Sequence, residues 1–443
     1  MPVAIARTAF VRVRKALQEN ATLATNSGAL AIGTVATAGL GFVYWWLAAR
    51  TFPPEAFGNA SALLSVIGLI GLLGEAGLGT LLIGEIVRHP NKTPALVGAA
   101  ASIGVALAIG LALLFVFGAR LLGSANLIGG WLAGVVFVLG CGLTALITVI
   151  DQAFIGSLNS TSRMIQQVLF SVFKLMLIAA AVVVSQTSST AILLTWVAGL
   201  LTSLIAVDLL TRGGVRRLVG IPDFRLLNTF RRKVFDHYAL DVALQAPGII
   251  VPYLVLVLLS PASTAAFSAL WMLVSVASVI PAVLATVLFP VVRAGPNRSQ
   301  HHFRVSLTVS LLFSLACAVF IFFCSERILE IFNPAYRAIA GSDLRLLGFS
   351  LLGSTLKFHA CTLARLGDAM RRASLPFALG GLLELGLLIA GAKLGGLEGL
   401  VIGWTIAVSI EGLCVGLIWI FAARLGISTS PSSEFIAPPP LQI

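Results

Sequence analysis

Two lysines stand where a lysine is hardest to place. Lys174 lies at the middle of a long apolar run, with Gln167 and Ser171 at helical spacing on the same side, and Lys357 lies deep in another, with Ser350, Ser354 and Cys361 spaced likewise. A charge within a membrane span costs at least about 2.5 to 3.5 kcal/mol on insertion scales, so it needs a partner, a wet cavity or a task. A polar stripe carrying an ammonium is expected to face water or protein and to attract an anion. Gln167 and Ser354 belong to these two stripes, and Arg345 sits at the outer end of its span as a further cation for the same cavity.

The buried carboxylates suggest a second chemistry, carriage of H+ or Na+. Glu75 falls among Gly68, Gly71, Gly74 and Gly77, where it could bind the ion or pair with Lys174 or Lys357. Glu384 and Glu411 are near mid-span, where isolated carboxylates are also common structural partners. Asp241 and Gln245 follow one face of a segment that Pro247 and Pro252 will bend, a gate in prospect. Asp151 closes the stripe Cys141, Thr144, Thr148. No catalytic constellation accompanies them. The sequence has no Walker loop, HExxH helix or G-x-S-x-G elbow, so no enzyme is expected and no cofactor beyond a coupling ion.

The elements that must position these groups are helices in a bilayer. Of 443 residues, 58% are hydrophobic and 10% charged, against about 25% charged in a water-soluble domain. Apolar runs long enough to cross about 30 Å of hydrocarbon recur, and about twelve transmembrane helices are expected in an all-α chain. The longest polar interruption, Arg212 to Tyr238, holds seven Lys and Arg against Asp223 and Asp236. It divides two six-helix lobes, 27–211 and 239–424, with 212–238 as a basic interlobe loop. Residues 1–26 read as a cytoplasmic amphipathic basic helix and 425–443 as a disordered cytoplasmic tail.

Most of the 29 Lys and Arg fall in alternate loops, which puts that set and both termini in the cytoplasm. The net charge of +12 then reads as orientation and contact with anionic lipid, with no nucleic acid as partner. The five cysteines have no metal or CxxC spacing. The stretches starting at Ala56 and Ala266 match at Ala, Phe, Ser, Val and Ile, the trace of a duplication that would face two halves across a central cleft.

LAARTFPPEAFGNASALLSVIGLIGLLGEAGLGT, Leu47 to Thr80, resembles the first hairpin of the Wzx-like polysaccharide flippases, with its PE-x-FG turn and glycine-rich second helix. ILEIFNPAYRAIAGSDLRLL, Ile328 to Leu347, is similar to their segment between the ninth and tenth spans. These flippases share a superfamily with multidrug and toxin extruders. The resemblance implies two MATE-like lobes around a cationic central cavity, alternating access, and an undecaprenyl-pyrophosphate-linked glycan as cargo at the bacterial inner membrane, with polysaccharide polymerase or export machinery as possible partners. The lipid II flippases generally carry two further spans that this chain lacks. The alternatives are a proton- or sodium-coupled drug or cation antiporter, with an acidic cavity, and an intramembrane glycan polymerase or ligase, which would need a large external loop.

Overall fold

The structure, a computed structural model, describes residues 33–121, 128–294, 299–367 and 369–424. Every regular element among them is helical: α1 (33–51), α2 Pro54–Glu75, α3 Leu78–Arg88, α4 Thr93–Leu121, α5 Trp131–Gly156, α6 Ser160–Val183 and α7 Ser189–Leu210. They continue as α8 Gly214–Leu218, α9 Phe224–Leu258, α10 Pro261–Ala294, α11 Ser299–Phe332, α12 Pro334–Ala340, α13 Ser350–Leu366 and α14 Met370–Arg424. In hydrocarbon the backbone must satisfy its own hydrogen bonds, which is why apolar sequence of this length resolves into helices.

Ten of the described helices are long and apolar enough to cross a membrane, so this is a multi-pass membrane protein. The last of the ten is two helices in one. Gly395 and Gly396 leave helical geometry inside α14, Gly396 at a φ of 59° that suits a residue without a side chain. The expected first span is helical from residue 33, while its start, with the expected surface helix and tail at 1–26 and 425–443, lies outside the described residues.

Two compact units emerge. One comprises the described residues through Ala48 together with Ile70–Val234; the other comprises Ala49–Leu69 and the described residues from Phe235 onward. In the first, α4 and α5 pack closely, and α6 lies along α7. In the second, α13 packs along α14 and against α10, and the tip of the α1–α2 hairpin joins them. There Gly58 lets α2 approach the backbone at Pro261, and Ser61 Oγ lies 3.0 Å from Ser268 Oγ.

The basic stretch is more ordered than a loop. Asp208 holds the turn after α7, accepting from the Arg216 amide at 3.0 Å and lying 2.8 Å from the Arg216 Nε. The backbone at Gly220 and Asp223 then bonds to Pro94 and Ala95 at the start of α4. From Phe224 the chain is already helical and continues into the span that carries Pro247 and Pro252.

Candidate functional site

In the first unit Lys174 is only 5% exposed. Its side chain leaves α6 opposite Gly199 of α7, where a Cβ would press on the Lys174 Cβ at 3.0 Å. The ammonium ends in a box of three rings, 4.2 Å from the centroid of Trp196, 4.5 Å from Phe170 and 5.1 Å from Tyr44. The box is itself fastened. The Tyr44 hydroxyl is 3.0 Å from Thr195 Oγ1, and Trp196 meets Phe170 edge-on at 5.2 Å.

No salt bridge reaches Lys174 among the described residues, so its charge is met by ring quadrupoles and not by a counter-ion. Tyr44, near the end of α1, is fully buried and forms a wall of this box.

Gln167, two turns earlier on α6, serves a different cluster. Its amide donates at 3.0 Å to Asp151 Oδ2 of α5, which the Arg163 Nε approaches at 3.4 Å. The second Asp151 oxygen is buried without a hydrogen-bond partner. Ser171 links the two levels only through its own helix, donating to the Gln167 carbonyl.

Glu75 is held within its own unit. The helix breaks just after it, at Ala76 and Gly77 with φ of 51° and 71°, and its Oε1 accepts from the Gly79 amide at 2.9 Å in the first turn of α3. A carboxylate there compensates the positive end of the new helix.

In the second unit Lys357 has an environment opposite to that of Lys174. Its Nζ lies 2.7 Å from Glu384 Oε1 and 2.9 Å from Glu411 Oε2, with side-chain exposures of 6%, 1% and 1%. Glycines allow this. A Cβ on Gly353 would strike the Val408 carbonyl and one on Gly412 the Gly353 backbone, so α13 and the second half of α14 touch main chain to main chain. Gly380, on the first half of α14, leaves the volume that the Glu411 carboxyl fills.

An ammonium held between two carboxylates offers no net positive charge, so the placement of Lys357 does not support the expectation that it attracts an anion. Ser354 is half-buried one turn before it on α13, without a hydrogen bond to it.

The remaining sequence-predicted residues are dispersed. Arg365 Nη2 donates to Asp241 Oδ1 at 2.7 Å, tying α13 to α9, and Gln245 is exposed one turn further along α9. Arg345 is exposed, its guanidinium carbon 5.6 Å above the Phe322 ring. Sequence reasoning found the charged members of these clusters. It missed Tyr44 and Trp196 around Lys174 and the pairing of Arg163 and Arg365, since each joins residues from separate helices, and it passed over Phe170, one turn from Lys174 on α6.

The model of the polysaccharide biosynthesis protein family matches residues 23–295. Among curated proteins, none matches the chain. Among solved structures, an inward-facing multidrug resistance MATE family transporter of the MOP superfamily aligns with a TM-score of 0.67 and 14% identity, over 88% of this chain and 95% of that one. An outward-facing MATE family transporter gives 0.57 at 14%, over 90% and 96%. A MOP superfamily transporter from Pyrococcus furiosus, described as having a binding pocket of reverse polarity that suggests a different function, gives 0.60 at 14%, over 90% and 95%. The fold is therefore that of the MATE transporters, and by a family match spanning more than half its length the chain belongs to the polysaccharide biosynthesis protein family.

Proposed function

We propose that this protein is a flippase that carries a lipid-linked oligosaccharide from the cytoplasmic to the periplasmic leaflet of a bacterial inner membrane. The observation that carries the proposal is the Lys174 ammonium, buried among rings with no salt bridge to it among the described residues. A ring box accommodates a cation without a counter-ion, so a diphosphate or an acidic sugar reaching it would be its first anionic partner. Membership of the polysaccharide biosynthesis family supports a glycan as cargo. The undecaprenyl tail would stay in lipid while the head group crosses, and the transporter fold supports alternating access as the means.

A drug or cation antiporter is the second reading, favoured by the multidrug transporters among the similar folds. It needs carboxylates free to meet an organic cation, and Glu384 and Glu411 are already engaged with Lys357.

The test is flipping in proteoliposomes loaded with an undecaprenyl-pyrophosphate-linked oligosaccharide, read by glycan accessibility from each side. Lys174→Ala is expected to lower the rate at least tenfold, with insertion intact, while Lys174→Arg keeps a measurable fraction. An unchanged rate in the alanine variant would remove Lys174 from the mechanism. Proton-driven dye efflux without glycolipid movement would establish the antiporter.

A further inference from the structure

The cluster of Lys357, Glu384 and Glu411 has an unbalanced charge. With all three ionised it carries one net negative charge, and its two carboxylate side chains are each 1% exposed. An uncompensated charge in so dry a place costs several kcal/mol, and binding a single proton removes it.

The geometry also indicates where that proton goes. Glu384 Oε1 and Glu411 Oε2 face the ammonium, whereas Glu411 Oε1 is buried with no hydrogen-bond partner. An oxygen without a donor can be relieved by carrying the hydrogen itself. The room for this carboxyl is specific, because a side chain at Gly380 would collide with it.

Two titratable groups on α13 and α9 are engaged elsewhere. His359 of α13 is 2.9 Å from the Thr355 carbonyl and 3.1 Å from Ser306 of α11, and Asp241 of α9 is bridged to Arg365. Lys357 and Glu384 are the charged groups that act on Glu411. An alkali or divalent ion would need several oxygens, and here the ammonium already occupies two; no group of three metal-ligating side chains occurs among the described residues.

We propose that Lys357, Glu384 and Glu411 form a proton-binding site in the second unit, loaded with one proton carried on Glu411. Its use as a coupling site rests on the flippase reading; its existence does not.

The experiment reads the proton directly. Infrared difference spectra of the full-length protein in lipid bilayers, taken across neutral pH in potassium buffer without glycolipid, should show a protonated-carboxyl band from this cluster. Glu411→Gln should abolish it. Glu384→Gln should abolish it as well, because one carboxylate then balances Lys357 without a proton, and this variant serves if the first does not fold. Lys357→Met should double the band, since both carboxyls must then be neutral.

A wild-type spectrum with no band that either glutamine variant removes would overturn the proposal, as would a Lys357→Met spectrum unchanged from wild type. Loss of the band on replacing potassium by sodium at constant pH would also overturn it, in favour of an alkali-cation site. Failure of flipping with the band intact would count against the flippase reading and not against the site.

Discussion

Lys174 and Lys357 meet the same difficulty in different ways. One is surrounded by rings, and the other is held between two carboxylates. The residue type alone marked both as costly, and their positions in the chain are those the sequence indicated. The solution at each depended on side chains far away in sequence: Tyr44 is on α1 and Glu411 on α14.

Glu75 shows the same limit at shorter range. Its carboxylate caps a helix that exists only because the chain breaks at Ala76, and the spacing of Gly68, Gly71, Gly74 and Gly77 pointed to bending without saying which glycine breaks. The cap can be tested at Gly79, whose added Cβ would meet the Glu75 carboxylate and the Gln152 side chain. Gly79→Ala is expected to cost about 1–3 kcal/mol, the usual range for overpacking a filled site, and to displace Glu75 from its amide. Thermal unfolding in detergent would register it as a lowered midpoint, while Gly84→Ala, which meets open space, should leave the midpoint close to wild type.

At the scale of elements, apolar runs located most of the membrane helices but not their ends. The glycine-rich helix after the PE-x-FG turn begins at Pro54, within the turn itself, and is interrupted before α3, and the lobe expected from residue 239 opens with a helix that begins at Phe224, inside the basic stretch. Hydropathy reports where hydrocarbon lies, whereas a helix stops where its caps and backbone bonds stop it.

The two stretches that carry the family resemblance touch each other, which neither stretch could disclose alone. Asn333 Nδ2 donates to the Ala49 carbonyl at 3.0 Å, the Tyr336 hydroxyl reaches the same carbonyl at 3.3 Å, and Arg50 reaches the Glu330 carbonyl at 3.2 Å. Asn333 also caps α12, its Oδ1 accepting from the Ala335 amide. Asn333→Ala removes a cap and a long-range bond together, worth about 1–2 kcal/mol at this partly exposed site. Limited proteolysis should cut faster near Ala49 and near α12 in this variant than in wild type; equal rates at both would show that the contact does not secure the hairpin tip.

At the scale of the whole molecule, the placement of Lys and Arg predicts an orientation that counting crossings can check. Between α8 and α12 the chain passes through three candidate spans, Tyr238–Leu258, Pro261–Leu288 and Gln300–Phe332, and crossing by all three would put the two short helices on opposite sides of the membrane. The α8 region carries Arg212, Arg216 and Arg217 in a short connection, the arrangement that resists translocation. Near α12 the basic residues are fewer, and Arg337 bridges to Glu326 at 3.3 Å and to Glu330 at 3.1 Å. We therefore expect α8 in the cytoplasm and α12 outside. Single cysteines at Arg217 and Ala338, both exposed, in a background with the five native cysteines replaced, make this measurable. A membrane-impermeant maleimide should label Ala338→Cys in intact spheroplasts and Arg217→Cys only in inverted vesicles. Labelling of both from one side would mean that one of the three helices does not cross. The reverse pattern would place the basic stretch outside, and with it would go the direction proposed for the cargo.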